Sequence, residues 1–155
     1  FKTNLSVIKS VIKSNENRTR ILLDRINQIL NKKIKNKKII FLGVTFKANT
    51  DDMRDSSSLK MIPWLSKKGA IIKYYDPTGY KNEFSKFKNV TYKLSIRDAI
   101  QDSDLIILHT EWNEFKLLNF KKLVKKRNFS IYDLRNIYSP SKMKKNRLNY
   151  FGVGR

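Results

Sequence analysis

The stretch from residue 38 to residue 59 constrains the fold more than any other part of this chain. Ile39 to Leu42 form a short apolar run that ends in Gly43, a pattern typical of a strand buried on both faces. Asp55 and the three serines after it are residue types that cap helix starts. Residues 44–55 therefore form a loop at the carboxyl end of a buried strand, where open α/β sheets bind their ligands.

From residue 38 onwards, strand-like apolar runs alternate with helical patterns. This alternation predicts an α/β fold, with a Rossmann-like parallel sheet that carries helices on both faces. We expect strands at 38–43, 70–75, 90–94, 105–108 and 129–134, with a last edge strand near 150–153. We expect helices at 57–68, after Ser95, and at 113–126. Pro63 should delay or kink the first of these helices, and Gly69 should cap its end.

A long amphipathic helix, or two helices with a break near residues 14–17, is predicted to precede the sheet. Residues 1–33 contain no Pro or Gly, and apolar side chains recur there at helical spacing: Leu5, Ile8, Val11, Ile12, Ile21, Leu22, Ile26, Ile29 and Leu30. One small domain does not cover a helix of this length, so the stripe favours burial against a further domain or a second subunit. The alternative is a helix that folds back on its own sheet.

The composition excludes several kinds of chemistry from this chain. The 155 residues include no cysteine, so disulfides, thiolate zinc sites and a cysteine nucleophile are excluded. No apolar run approaches the roughly 20 residues that cross a bilayer, and no signal-peptide pattern is present. We therefore expect a cytoplasmic protein that does not enter the membrane.

The formal net charge of +21 favours anionic partners. A stand-alone, non-catalytic module that binds nucleic acid or another polyanion is therefore one interpretation. The excess charge is mostly lysine in scattered pairs, however, and no zinc-finger, RNP or KH-type motif accompanies it. A solvated basic surface without nucleic acid is the simpler interpretation.

The first predicted strand is not followed by the glycines of a dinucleotide-binding loop. The pattern G-x-G-x-x-G is absent, and Gly43 is followed by Val44, Thr45 and Phe46, whose bulk keeps a pyrophosphate away from the backbone. Asp76 ends the second strand, where such folds hold a ribose, but without the glycines we interpret it as a turn former. The sheet is thus Rossmann-like without being a regular dinucleotide site.

Cationic side chains follow two of the predicted strands. Lys47 and Arg54 lie in the loop after the first strand, and Arg135 follows the fifth. Lysine and arginine both bind phosphate oxygens, arginine with two parallel hydrogen bonds, and clusters at strand ends can share one crevice. Alternatively, Lys47 is an ordinary solvated lysine and Arg54 forms a structural ion pair with a neighbouring carboxylate: Asp51, Asp52 or Asp55. No further ligand accompanies these carboxylates, so no metal site is expected.

The single histidine, His109, ends an apolar strand in the sequence L-H-T-E-W. A general base needs a nucleophile or a water within reach, and no triad or carboxylate pair is recognisable around it. We therefore interpret His109 as structural. Trp112 is expected to cover the end of the sheet, and its indole N–H should have a hydrogen-bond partner.

Four motifs together resemble the C-terminal, UDP-binding domain of the UDP-glucose 6-dehydrogenases. They are G-V-T-F-K-A-N-T-D-D-M-R-D-S-S-S (Gly43 to Ser58), Y-D-P (Tyr75 to Pro77), T-E-W-N-E-F (Thr110 to Phe115) and D-L-R-N (Asp133 to Asn136). Their order and spacing also agree with the family. The first helix, with Asn15 and Arg18, resembles the end of the family's central dimerisation helix. The resemblance divides the chain into that helix, residues 1–35, and the UDP-binding domain, residues 36–155.

The resemblance implies a division of labour within a larger enzyme. In this family an N-terminal domain holds NAD, a cysteine attacks the aldehyde intermediate, and two hydride transfers convert UDP-glucose into UDP-glucuronate. The present chain resembles only the nucleotide-binding part, so alone it should not catalyse the oxidation. Matching motif positions imply that Phe46, Lys47 and Arg135 bind the UDP-sugar, and that Arg54 reaches NAD across the domain interface. They also imply the N-terminal domain and a homodimer as partners.

The chain departs from the family pattern at Leu134, where glycine is expected, and this side chain should narrow the pocket beside Arg135. Related enzymes that act on GDP-mannose or UDP-N-acetylmannosamine share the F-K and D-D-x-R-like motifs. Those motifs therefore leave both alternative substrates open. The T-E-W and D-x-R-N motifs favour UDP-glucose.

Overall fold

A six-stranded parallel sheet forms the centre of the protein. The computed structural model describes the backbone of residues 6–154 and the side chains of residues 17–154. The strands are β1 (Lys38–Leu42), β2 (Ile71–Tyr75), β3 (Val90–Tyr92), β4 (Leu105–Leu108), β5 (Ser130–Asp133) and β6 (Asn149–Gly152). Their order is β3-β2-β1-β4-β5-β6, and every neighbouring pair is parallel. The expected Rossmann-like sheet, including its last edge strand, is confirmed.

Helices cover both faces of this sheet. They are α1 (Ser6–Ile29), α2 (Ser58–Lys67), α3 (Ile96–Ile100), α4 (Phe120–Leu123) and α5 (Pro140–Lys145), with short 3-10 turns at Asn82–Phe84 and Asn113–Leu117. In β1, Ile39 and Phe41 pack with α1 and α2, whereas Ile40 and Leu42 pack with α3, α4 and α5. Because successive strand residues point to opposite faces, this one strand contributes to two cores and is apolar from Ile39 to Leu42.

The second half of α1 packs on the domain that follows it. Leu22, Leu23, Ile26 and Leu30 are buried in the same core as α2. For these residues the alternative interpretation, a helix folded back on its own sheet, is confirmed, and no second subunit is needed to bury them. The side chains of Leu5, Ile8, Val11, Ile12 and Asn15 lie outside the described residues.

The α2 helix begins at Ser58 and contains Pro63, so of the two expected effects of this proline the late start does not occur. Its end is as expected. Gly69 adopts a φ of +80° and donates its N–H to the Ser66 carbonyl, while Ala70 donates to the Leu65 carbonyl. These are the bonds of a helix closed by a left-handed glycine.

The region expected to form one helix at 113–126 is broken in two. Leu118 has an extended backbone, and its N–H donates to the Tyr138 hydroxyl instead of continuing the first turn. Asn119 then caps a new helix, α4, by accepting the Lys122 N–H. The α5 helix was not expected, although Ser139 followed by Pro140 is a typical helix start.

The chain order reverses at the centre of the sheet, between β1 and β4. From β1 the chain moves outward to β2 and β3, and from β4 it moves the other way to β5 and β6. In open α/β sheets such a switch point opens a crevice at the carboxyl ends of the two strands. None of the described helices combines the length and apolar character that crossing a bilayer requires.

Candidate functional site

A cleft of about 600 Å³ lies at this switch point. Its walls come from α1, the loop after β1, the start of α2, and the ends of β4 and β5. The lining residues are Arg18, Thr19, Leu22, Phe46, Asp55, Ser56, Ser57, Leu59, Lys60, His109, Leu134 and Arg135. The cleft therefore joins segments that are far apart in sequence. Arg18 and Thr19 become part of a wall only because α1 packs on its own domain.

A buried aspartate fixes the start of the loop after β1. The Asp76 carboxylate accepts hydrogen bonds from the backbone N–H of Val44 at 2.8 Å and of Thr45 at 3.3 Å. It also accepts the backbone N–H of Thr78 at 3.0 Å and the Thr78 hydroxyl at 2.6 Å. Hydrogen bonds to a charged acceptor are among the stronger ones in proteins. The interpretation of Asp76 as a turn former is confirmed.

Gly43 permits the close approach of β1 and β4 at the bottom of the cleft. Its φ is +76°, and a Cβ atom at this position would lie 2.5 Å from the Thr110 Cβ. The Thr110 hydroxyl donates to the Thr45 carbonyl at 2.9 Å. The ends of the two strands are thus joined by a contact that only glycine allows.

The serines at the start of α2 hold the far end of the loop. Ser56 and Ser58 are buried, and both hydroxyls donate to the Val44 carbonyl at 2.6 Å. Ser57, between them, is half-buried and points its hydroxyl at His109, with 2.9 Å between Oγ and Nε2. Ser57, the N-cap residue of α2, makes no side-chain capping hydrogen bond, whereas the Ser56 hydroxyl oxygen accepts the Ser58 N–H at the helix start at 3.3 Å.

Arg135 connects the end of β5 to both neighbouring loops. Its Nε donates to the His109 carbonyl and its Nη2 to the Phe46 carbonyl, both at 2.9 Å. The Glu111 carboxylate lies 2.9 Å from the same Nε, but the single Nε proton points at the His109 carbonyl. Glu111 therefore compensates the charge of the guanidinium without a directed hydrogen bond.

Asp133 orients the backbone that carries Arg135. Its buried carboxylate accepts the Arg135 N–H at 3.0 Å, the Tyr138 N–H at 3.1 Å and the Tyr150 hydroxyl at 2.8 Å. Leu134 is buried beside it and forms part of the cleft wall. The side chain at this position therefore occupies space next to Arg135, as the sequence predicts.

His109 is buried, and burial together with the nearby positive charge of Arg135 lowers its pKa from 6.5 to about 3. Its Nδ1 lies 3.1 Å from the Thr110 hydroxyl oxygen. Because the pKa lies far below neutral pH, the ring is uncharged under ordinary conditions. His109 is thus a fixed part of the cleft floor, where its ring contacts the hydroxyl groups of Ser57 and Thr110.

Lys47 and Arg54 do not line the cleft, although both belong to its loop. Lys47 is exposed directly after Phe46, whose carbonyl meets Arg135. Arg54 is exposed over 89% of its side chain and pairs with Asp52 at 2.9 Å. The hydrogen bonds from Arg54 lower the pKa of Asp52 to about 2. Of the alternatives for Arg54, ion pairing is the one this structure contains.

The remaining expectations concern metal and tryptophan. Among the described residues, no group of three or more His, Asp or Glu side chains is placed to hold a metal ion. Trp112 packs against the core below β4, but its indole N–H is buried without a partner in the described part of the chain. The expected hydrogen bond of Trp112 is therefore not formed.

Comparison with protein families and known structures gives a consistent result. Residues 40–140 match the UDP-binding domain of the UDP-glucose/GDP-mannose dehydrogenase family. The chain is 38% identical over 151 residues to the UDP-glucose 6-dehydrogenase of Rickettsia felis, covering 96% of this chain and 34% of that protein. It is 32% identical to the UDP-glucose 6-dehydrogenase of Rhizobium meliloti, covering 99% and 35%. The chain thus spans about a third of the length of these curated relatives.

Solved structures show the same fold. A UDP-glucose dehydrogenase from Pyrobaculum islandicum superposes with a TM-score of 0.76 at 24% identity, covering 96% of this chain and 32% of that one. A UDP-D-ManNAc dehydrogenase from Pyrococcus horikoshii gives a TM-score of 0.77 at 24% identity, covering 99% and 35%. At this level of identity the likeness concerns the fold alone.

Proposed function

The chain belongs to the UDP-glucose/GDP-mannose dehydrogenase family, and we propose that it is the UDP-sugar-binding part of an NAD-dependent UDP-glucose 6-dehydrogenase. In this proposal the cleft at the switch point receives the nucleotide sugar. Phe46, Lys47 and Arg135 are its substrate-binding residues. The reaction of the full enzyme is the oxidation of UDP-glucose to UDP-glucuronate. The named relatives that the chain resembles over nearly its whole length favour UDP-glucose over GDP-mannose or UDP-N-acetylmannosamine.

The observation that carries the proposal is the hydrogen bond between Arg135 and the Phe46 carbonyl across the cleft. It joins the two strand-end clusters whose convergence a shared phosphate site requires. Nε and one Nη2 proton of Arg135 are engaged, and the remaining N–H groups have no acceptor among the described residues. A guanidinium held in this way still has N–H groups that can donate to phosphate oxygens.

Lys47 contributes from the rim of the cleft. Its neighbour Phe46 is 48% exposed and lines the cleft, and the Lys47 carbonyl accepts the Thr45 hydroxyl at 3.2 Å. The backbone is therefore fixed while the ammonium group is free to turn towards a bound diphosphate. Two cations on separate segments then neutralise the two phosphates of UDP.

NAD and a second protomer belong to the same proposal, through other surfaces. The loop after β1 is unsuited to a dinucleotide, because bulky residues fill it where glycines are required. NAD would therefore be held mainly by a preceding domain, with Arg54 reaching it from an exposed position. The α1 helix would contribute to a homodimer. Positioning of the sugar by this domain supplies the orientation that hydride transfer needs.

Titration calorimetry with UDP tests the proposal. We expect saturable binding of UDP and at least tenfold weaker binding in Lys47→Ala and in Arg135→Ala, because each removes one phosphate ligand. Lys37→Ala is the matched control, since Lys37 lies beside Asp104 at the amino ends of β1 and β4, whereas the cleft is at their carboxyl ends. Equal affinity in all three variants would contradict the assignment of these residues.

The rival interpretation is a polyanion-binding module, which the net charge alone would favour. Titration with duplex DNA over a series of salt concentrations distinguishes it. Steep salt-dependent DNA binding without any affinity for UDP would support the rival. Saturable UDP binding that survives 0.2 M salt supports the nucleotide-sugar site.

A further inference from the structure

A chain of hydrogen bonds at the floor of the cleft fixes the direction of every proton in it. The Thr110 hydroxyl donates to the Thr45 carbonyl at 2.9 Å, because a carbonyl oxygen only accepts. Thr110 has one hydroxyl proton, so its oxygen must accept at its other contact. That contact is Nδ1 of His109 at 3.1 Å, which therefore carries the ring proton.

The tautomer of His109 decides the role of Ser57. A neutral imidazole with a proton on Nδ1 has an acceptor at Nε2. Ser57 lies 2.9 Å from that atom and must therefore donate its single proton to it. Both lone pairs of the Ser57 oxygen are left without a partner among the described residues, and Ser57 lines the cleft.

We infer that Ser57 is a specificity-determining residue that accepts a hydrogen bond from a hydroxyl group of the bound nucleotide sugar, and that His109 is the positioning residue that holds it in the acceptor state. This inference rests on the proposed function. A serine hydroxyl ordinarily serves as donor or acceptor, but here the donor role is taken. The cleft thus presents fixed donors at Arg135 and a fixed acceptor at Ser57.

This arrangement separates two kinds of ligand group. Phosphate oxygens only accept, so they match Arg135 and are repelled by the lone pairs of Ser57. Ribose and hexose hydroxyls donate, so they match Ser57. A site that is built to hydrogen-bond a hydroxyl discriminates against ligands that lack it, because a buried polar atom then stays unpaired.

The neighbouring charges keep this state constant with pH. Arg135 contacts His109 through the backbone carbonyl, and its positive charge opposes protonation of the ring. Asp55 and Lys60 also line the cleft, on the loop and on α2. Nothing in this arrangement changes the donor direction between pH 6 and pH 9, and the preference for a hydroxyl donor should persist over that range.

The test compares ligands that lack single hydroxyls in wild type and in Ser57→Ala. The probes are UDP, 2′-deoxy-UDP, 3′-deoxy-UDP, UDP-glucose and its deoxyglucose analogues, with affinities from calorimetry. We expect one analogue to bind wild type about two- to tenfold more weakly, which is the range for one net hydrogen bond. In Ser57→Ala that penalty disappears, and the analogue identifies the hydroxyl as one of ribose or of hexose.

Two further variants complete the design. Ser66→Ala, at the other end of α2 where its hydroxyl donates to Asn89, is the matched control and should keep the wild-type penalty. His109→Leu frees the Ser57 proton, so an analogue with fluorine in place of the hydroxyl should lose less affinity than in wild type. Melting curves with saturating UDP show that each variant is folded.

The outcomes are separable. Absence of UDP binding by wild type would contradict the proposed function itself. Binding of UDP with analogue penalties that are the same in wild type and Ser57→Ala would overturn the role of Ser57 alone. A penalty lost in Ser57→Ala but unchanged in His109→Leu would overturn the positioning role of His109.

Discussion

Acid sensitivity of folding is the first prediction, and it depends on one residue. His109 is buried with a pKa lowered from 6.5 to about 3, and it is the only histidine in the chain. Below pH 6.5 the unfolded chain takes up a proton at this position, whereas the folded protein does not until about pH 3. Between about pH 3 and pH 6.5 the free energy of unfolding therefore increases as the pH rises and decreases as the pH falls.

The magnitude follows from the two pKa values. Each pH unit below 6.5 costs about 1.4 kcal/mol, so about 2 kcal/mol should be lost between pH 8 and pH 5. This figure requires only that the folded pKa lies below about 4. For a domain of this size the loss corresponds to a fall in melting temperature of about 4–8 °C. Below pH 5 the carboxylates also titrate, so the comparison should stop there.

The assay is urea denaturation at half-unit intervals from pH 5 to pH 8. His109→Gln should flatten the pH dependence, because glutamine does not titrate. Lys88→His is the matched control, since it adds an exposed histidine whose pKa is the same in both states and should leave the slope unchanged. An imidazole that titrates near pH 6.5 in the folded protein by NMR, or equal slopes in wild type and His109→Gln, would refute the reasoning.

Three other perturbations test the architecture of the cleft. Gly43→Ala should lower the free energy of unfolding by about 2–4 kcal/mol, from its positive φ and the clash behind it. The control is Gly79→Ala, also at positive φ but with open space around it, which should lower the free energy of unfolding in chemical denaturation by only about 1–2 kcal/mol. Equal losses in the two variants would show that the contact with Thr110 contributes nothing. Asp76→Ala should lower the free energy of unfolding by about 2–3 kcal/mol and weaken UDP binding, because buried N–H groups of the loop lose their acceptor. An unchanged affinity for UDP in titration calorimetry would contradict this. Arg54→Ala should return the pKa of Asp52 from about 2 towards 3.8 in a carboxyl NMR titration, because the hydrogen bonds from Arg54 are the main cause of the lowered value. A pKa of Asp52 that stays near 2 would show that another group lowers it.

Much of this fold could be predicted because its strands are short apolar runs. Residues 39–42 and 105–108 are buried on both faces of the sheet. A continuous apolar run is the sequence pattern typical of such strands, so it predicts them correctly. The region after Trp112 was less predictable, because a hydroxyl from Tyr138, distant in sequence, decides where the backbone breaks. Local propensity contains no information about such a partner.

The location of the cleft was predictable, but its lining was predictable only in part: Phe46 and Arg135 line it, whereas Lys47 and Arg54 do not. The loop after β1 and Arg135 follow from the rule that strand ends share a crevice. The role of Ser57 could not be deduced, because Asp-Ser-Ser-Ser is read as a helix cap until the position of His109 is known. Likewise Thr19 reaches the cleft only through the packing of α1, which no pattern within the helix specifies.

The α1 helix connects its own first turn to the wall of the cleft. Ser6 and Arg18 belong to one continuous helix, so about 18 Å of rigid rod separates them. Arg18 and Arg135 both line the cleft. A displacement of the first turn would therefore be transmitted to Arg18 and alter the width of the opening, opposed by the packing of Leu22, Leu23 and Ile26 in the core.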